Sequence, residues 1–135
     1  MSQVTVQYEG QLRCNIQHVS TGKTVQSDAS KEIQGLGESF TPVDLVSAAL
    51  GACISTMLGY VARDKNIDLK GMKVELSKEM ADGTRIGKFN VDIFMPCNVD
   101  DKMKTIFERS AKSCPVHNSL HPDIVKNIVF HYPEA

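Results

Sequence analysis

The chain has 135 residues, 15 Lys and Arg against 16 Asp and Glu, and four cysteines without a Cys-x-x-Cys pair. That length predicts one domain, residues 1–135, with a real hydrophobic core. Balanced charge gives no ground for a nucleic-acid or anionic-membrane partner, and the cysteine spacing supports neither a disulfide framework nor a four-ligand zinc site. The N-terminal MSQVTVQYEG lacks a basic-then-apolar leader pattern, so the expected location is cytoplasmic, with the cysteines as free thiols.

Residues 3–8 alternate apolar and polar and predict a strand, with Glu9-Gly10 as the turn after it. Gln11 to Val19 predicts a second strand, with Leu12, Cys14 and Ile16 on one face and Arg13, Asn15 and Gln17 on the other. Thr21-Gly22-Lys23 turns the chain into a short third strand, Thr24 to Ser27. Arg13 is the only arginine before the long helix that follows. Residues 28–40 form a connecting loop, mobile or tightly turned at Gly35 and Gly37.

The stretch TPVDLVSAALGACISTMLGYVARDK, residues 41–65, organises the chain. Thr41 suits a helix cap, Pro42 the first turn, and Asp44 completes a capping-box-like start. The helix is apolar on nearly every side, which predicts burial all round. Small residues Gly51, Ala52 and Ser55 surround Cys53, and the cost of Gly51 in a helix implies close packing there. The stretch reads as too short and too interrupted at its ends for a membrane span. Residues 67–80 and 85–95 predict a hairpin, with Asp82-Gly83 supplying positive dihedrals at the turn. A second helix starts at Asp100 or Asp101 and ends at Ser113-Cys114, before Pro115. PVHNSLH forms one short helical turn, and Ile124 to Tyr132 a last strand.

This order predicts an α+β fold with antiparallel sheets packed on helices. One chain of this size can hardly cover a helix apolar all round, so a homodimer sharing the helical core is expected. Cys114 lies where one helix stops and another turn begins. Nearby backbone N–H groups, with Lys112 and His117, favour a thiolate there. Cys14 and Cys97 receive no role.

TPVDLVSAALGAC and CPVHNSL resemble the two cysteine motifs of the OsmC/Ohr family of thiol peroxidases and their relatives, and the element order fits along essentially the whole chain. The resemblance implies an intertwined homodimer, with sheets from both chains wrapped around long central helices. It implies Cys53 as the peroxidatic thiolate, oxidised to a sulfenic acid, and Cys114 as the resolving thiol that closes a disulfide. An external dithiol would then reset the pair. No metal, flavin or haem is required. The family pairs its first cysteine with an arginine held by a glutamate. The glutamate position, ten residues before the cysteine, is Val43 here, with Asp44 beside it. Arg13 becomes the candidate thiolate stabiliser and Asp44 its candidate partner. The second reading is a noncatalytic ligand-binding or redox-sensing relative that has lost the activating pair.

Overall fold

The first strand, β1, begins one residue after the predicted start and spans Val4–Gly10. It pairs antiparallel with β2, Arg13–His18, which pairs antiparallel with β3, Thr24–Ser27, in the order β1-β2-β3. The first turn falls later than expected. β1 runs through Glu9 and Gly10, and Gln11 and Leu12 turn the chain with φ of 55° and 63°. Two successive positive φ values match the twist of a two-residue hairpin. Leu12 therefore leaves the strand face it was expected to share with Cys14 and Ile16, and its N–H donates to the Tyr8 hydroxyl at 3.3 Å. Val6, Ile16 and Val25 stand opposite one another across the three strands, so one face of this sheet is apolar.

The computed structural model describes residues 2–134. Its contacts divide the chain into two compact units, one up to Val46 and one from Ser47. In the first, the segment 28–40 is tightly turned. Ser27 bridges Phe40, the Asp28 N–H donates to the Phe40 carbonyl at 2.8 Å, and a 3-10 turn spans Lys31–Ile33. Gly35 permits this course, because a Cβ there would run into the Ala29 carbonyl.

Helix α1 spans Pro42–Asp64. Its start is a reciprocal capping box: the Asp44 N–H donates to Thr41 Oγ1 at 3.1 Å, and the Thr41 N–H donates to Asp44 Oδ2 at 3.0 Å. Burial is confined to one stripe, Leu50, Gly51, Ile54, Leu58 and Ala62, at helical spacing. The expected burial on all sides is not met within one chain; Tyr60 is 58% exposed, and Ala49 and Ala52 are open to solvent. The 23-residue helix is also long and apolar enough to cross a membrane by length and composition, which corrects the reading of it as too short.

In the second unit, β4 (Lys73–Asp82) and β5 (Arg85–Phe94) form the expected antiparallel hairpin. The strand begins at Lys73, because Asn66 and Gly71 take positive φ and residues between them turn. At the hairpin tip Gly83 does not take positive φ. The Asp82 carboxylate holds the turn instead, accepting from both the N–H and the hydroxyl of Thr84 at 2.7 Å. Gly51 has the expected packing role: a Cβ there would lie 2.7 Å from Leu76 Cδ1 of β4.

Helix α2, Asp101–Ala111, is capped by the Asp100 carboxylate, which accepts from the Met103 N–H at 2.8 Å. A short helix, α3, spans Pro115–Ser119, and β6 spans Val125–His131. β6 pairs with β5 in parallel. The second sheet is therefore mixed, with order β4-β5-β6, and not antiparallel throughout. The reason is the connection: β5 reaches β6 through two helices, and such a crossover can return a strand in the same direction where a tight turn cannot. The buried core of this unit comprises the α1 stripe, Phe89, Val91 and Ile93 of β5, and Met103, Phe107 and Ala111 of α2.

Candidate active site

Cys53 sits in the middle of α1, on the flank of its buried stripe, and is half-buried. Cys114 sits in the break between α2 and α3 and is fully buried. The break follows from the sequence. Pro115 forces the residue before it out of the helical region, and Cys114 adopts φ −71°, ψ 137°. Pro115 then fills the first position of α3, where its missing N–H costs nothing. Cys114 becomes the cap of α3. Its Sγ accepts from the His117 N–H at 3.2 Å, and its carbonyl accepts from the Asn118 N–H at 3.0 Å.

The two thiols are close enough for the Cys53 sulfur to act on the Cys114 proton. All four cysteines are free, so this is the reduced form of the pair. The Cys114 thiol is pushed above its ordinary range, first by burial and then by the neighbouring Cys53 sulfur. The His117 and Val116 N–H groups act in the opposite sense and are outweighed. This corrects the expectation that local N–H groups and cations favour a Cys114 thiolate; Lys112 is exposed, and burial dominates. Cys114 thus favours its protonated form.

Arg13 and Asp44 belong to the first unit. Arg13 does not take Asp44 as its partner, because the Asp44 carboxylate is committed to the α1 cap. Asp28 replaces it: Oδ2 accepts from Arg13 Nη2 at 3.1 Å and from Nε at 3.3 Å. Glu38 Oε1 lies 3.1 Å from the same Nη2. Asp28 is buried and also accepts from the Glu38 N–H at 2.9 Å and the Ala29 N–H at 2.8 Å. These contacts, led by the Glu38 N–H and the Arg13 bond, hold its carboxyl down at about 2.

Sequence reasoning missed both carboxylates. A signal existed. Cys14 pairs with Ser27 across β2 and β3, and the next position along that register sets Arg13 opposite Asp28. Among the described residues, no group of three or more His, Cys, Asp or Glu is arranged to hold a metal ion.

The OsmC-like protein family matches residues 35–128. A solved structure from Psychrobacter arcticus 273-4, assigned provisionally to osmotic stress induction and detoxification response, is 36% identical. It superimposes with a TM-score of 0.94 over 97% of this chain and 96% of that one. More distant structures share the fold alone. The organic hydroperoxide resistance protein OhrB of Bacillus subtilis is 17% identical at a TM-score of 0.64, over 97% of this chain and 98% of that one. An organic hydroperoxide resistance protein from Legionella pneumophila is 14% identical at 0.71, over 96% and 97%. An uncharacterized protein of Methanocaldococcus jannaschii is 29% identical over 68% of this chain, and the match spans half of that relative's length. Within this fold α1 is the long core helix, not a membrane span. Two cysteine motifs at the expected elements, a mixed α+β topology and a family match over residues 35–128 place the chain in the OsmC-like family.

Proposed function

We propose that the protein is a thiol-dependent peroxidase that reduces hydroperoxides with Cys53 and Cys114. The observation that carries this reading is the proximity of two thiols 61 positions apart in sequence, one half-buried and one fully buried, with Cys53 near enough to raise the Cys114 thiol. The Cys53 thiolate attacks the distal oxygen of the peroxide, the O–O bond breaks, and the alcohol or water leaves with a proton. The resulting Cys53 sulfenic acid condenses with the Cys114 thiol, forming a disulfide and releasing water. An external dithiol returns both sulfurs to the thiol state by exchange. The apolar turns of α1 around Cys53 favour an organic hydroperoxide over hydrogen peroxide. Neighbours of the same fold carry hydroperoxide resistance in their descriptions, which agrees with this reading.

Arg13 enters as the thiolate-stabilising cation on the resemblance alone. Within the first unit that guanidinium is held by Asp28 and Glu38. The active form proposed is a homodimer in a reducing, cytoplasmic setting. A noncatalytic ligand-binding or redox-sensing protein is the second reading, favoured by Val43 at the family's glutamate position.

One equivalent of cumene hydroperoxide added to reduced protein tests this. Rapid loss of two thiols, with a Cys53–Cys114 bond mapped by mass spectrometry, is the expected result. Cys53→Ser should abolish turnover, and Cys114→Ser should allow one oxidation without recycling through the disulfide. Slow thiol loss in the native protein, or a bond elsewhere, would favour the noncatalytic reading.

A further inference from the structure

Helix α3 depends on the residue that the proposed chemistry consumes. It is a single turn of five residues, and none of them is fully buried. One turn fixes several backbone dihedrals for very few hydrogen bonds, so it does not persist on propensity alone. Two contacts that begin it converge on Cys114. The His117 N–H is satisfied by Cys114 Sγ, and the Asn118 N–H by the Cys114 carbonyl. The turn is bounded on both sides: Pro115 fixes its start, and after Ser119 the chain at Leu120 returns to extended backbone, with Pro122 close behind.

The same Sγ faces Cys53. In the reduced protein it accepts from the His117 N–H while lying near the Cys53 sulfur. A disulfide requires the two sulfurs to close to about 2.05 Å, with a side-chain dihedral near 90°. The atom that caps α3 is thus the atom that the disulfide would move and fix. Once bonded, the sulfur has lost its proton and its freedom to rotate, and a disulfide sulfur is a poorer acceptor than a thiol or thiolate.

We infer that α3 is a redox-linked element: closing the Cys53–Cys114 disulfide removes its side-chain cap and frays the turn, and reduction restores it. The inference rests on the cysteine pairing proposed above. Its balance is simple. Two thiols lose two electrons and two protons to the oxidant, one S–S bond forms, and the His117 N–H exchanges a sulfur acceptor for water. The frayed segment carries His117 and Asn118, whose side chains approach at 3.4 Å in the reduced turn, so their presentation changes with the redox state.

Amide hydrogen exchange on full-length protein tests this, with the disulfide formed by diamide so that peroxidase activity is not needed. Diamide takes up the two electrons and two protons. The expected result is a mapped Cys53–Cys114 bond together with about fivefold or greater acceleration of exchange at the His117 amide, the factor expected for loss of one cap. The α2 amides should be unchanged. Cys53→Ser, which keeps the cap and cannot form the bond, should show no response to diamide. Cys114→Ala should exchange rapidly at His117 without any oxidant, and Cys114→Ser should restore slow exchange because a hydroxyl caps well. A mapped disulfide with unchanged His117 exchange overturns the inference and leaves the cysteine pairing standing. Failure to form that disulfide overturns the pairing and the inference together.

Discussion

Four donors converge on the Asp28 carboxylate: two from the Arg13 guanidinium and the N–H groups of Ala29 and Glu38. A buried carboxylate so surrounded is far easier to ionise than the same group in the unfolded chain. Its folded-state value of about 2 lies below the unfolded value. Asp28 therefore contributes stability that is fully present above about pH 4 and is lost as pH falls toward 2. Asp28→Asn should lower the urea midpoint at pH 7 and flatten its decline between pH 4 and 2. An unchanged acid slope in that variant would place the linkage elsewhere. The raised Cys114 value has the opposite cause, since nothing charged and opposite compensates its burial.

At the scale of the element, α1 shows how one motif can hold two meanings. Thr41 and Asp44 were legible as a capping box, and the structure forms it with both hydrogen bonds. That commitment is why Asp44 does not serve Arg13. Thr41→Ala should cost about 0.5–2 kcal/mol, read as a lower denaturant midpoint at constant slope. Asp44→Ala should likewise reduce stability and leave the rate of Cys53 oxidation by cumene hydroperoxide unchanged. A slower oxidation would restore Asp44 to the chemistry. Gly51 answers to packing: a Gly51→Leu side chain would meet Leu76 and Val74, and overpacking of this kind costs about 1–3 kcal/mol.

For the molecule as a whole, the open question is what covers its apolar surface. On the first sheet Val4, Val6 and Tyr8 project from β1 and are more than half exposed, with Val6 at 61%. On α1, Tyr60 lies open beside Arg63, whose guanidinium is 5.5 Å from the ring centroid. A second copy of the chain is the proposed cover. Light scattering should give twice the chain mass at micromolar concentration. Val6→Lys should shift that mass toward one chain if the β1 face is buried in the dimer. On a free surface the same change would leave the mass unaltered and stability within about 0.5 kcal/mol.

Local rules were enough for the elements. Alternation marked β1 and β5, Pro115 marked the break at Cys114, and apolar density marked α1. The motifs TPVDLVSAALGAC and CPVHNSL were enough for the family, because they lie within the matched residues 35–128. Three matters needed the folded chain. The direction of β6 depends on where a two-helix crossover ends, and β6 alternates like an antiparallel strand with one open face although it pairs in parallel. The partners of Arg13 depend on the β2–β3 register, since strand alternation tells which face a residue takes but not what stands across from it. The state of Cys114 depends on how deeply the α2–α3 break is buried, because local N–H groups and desolvation push its proton in opposite directions and only burial decides between them.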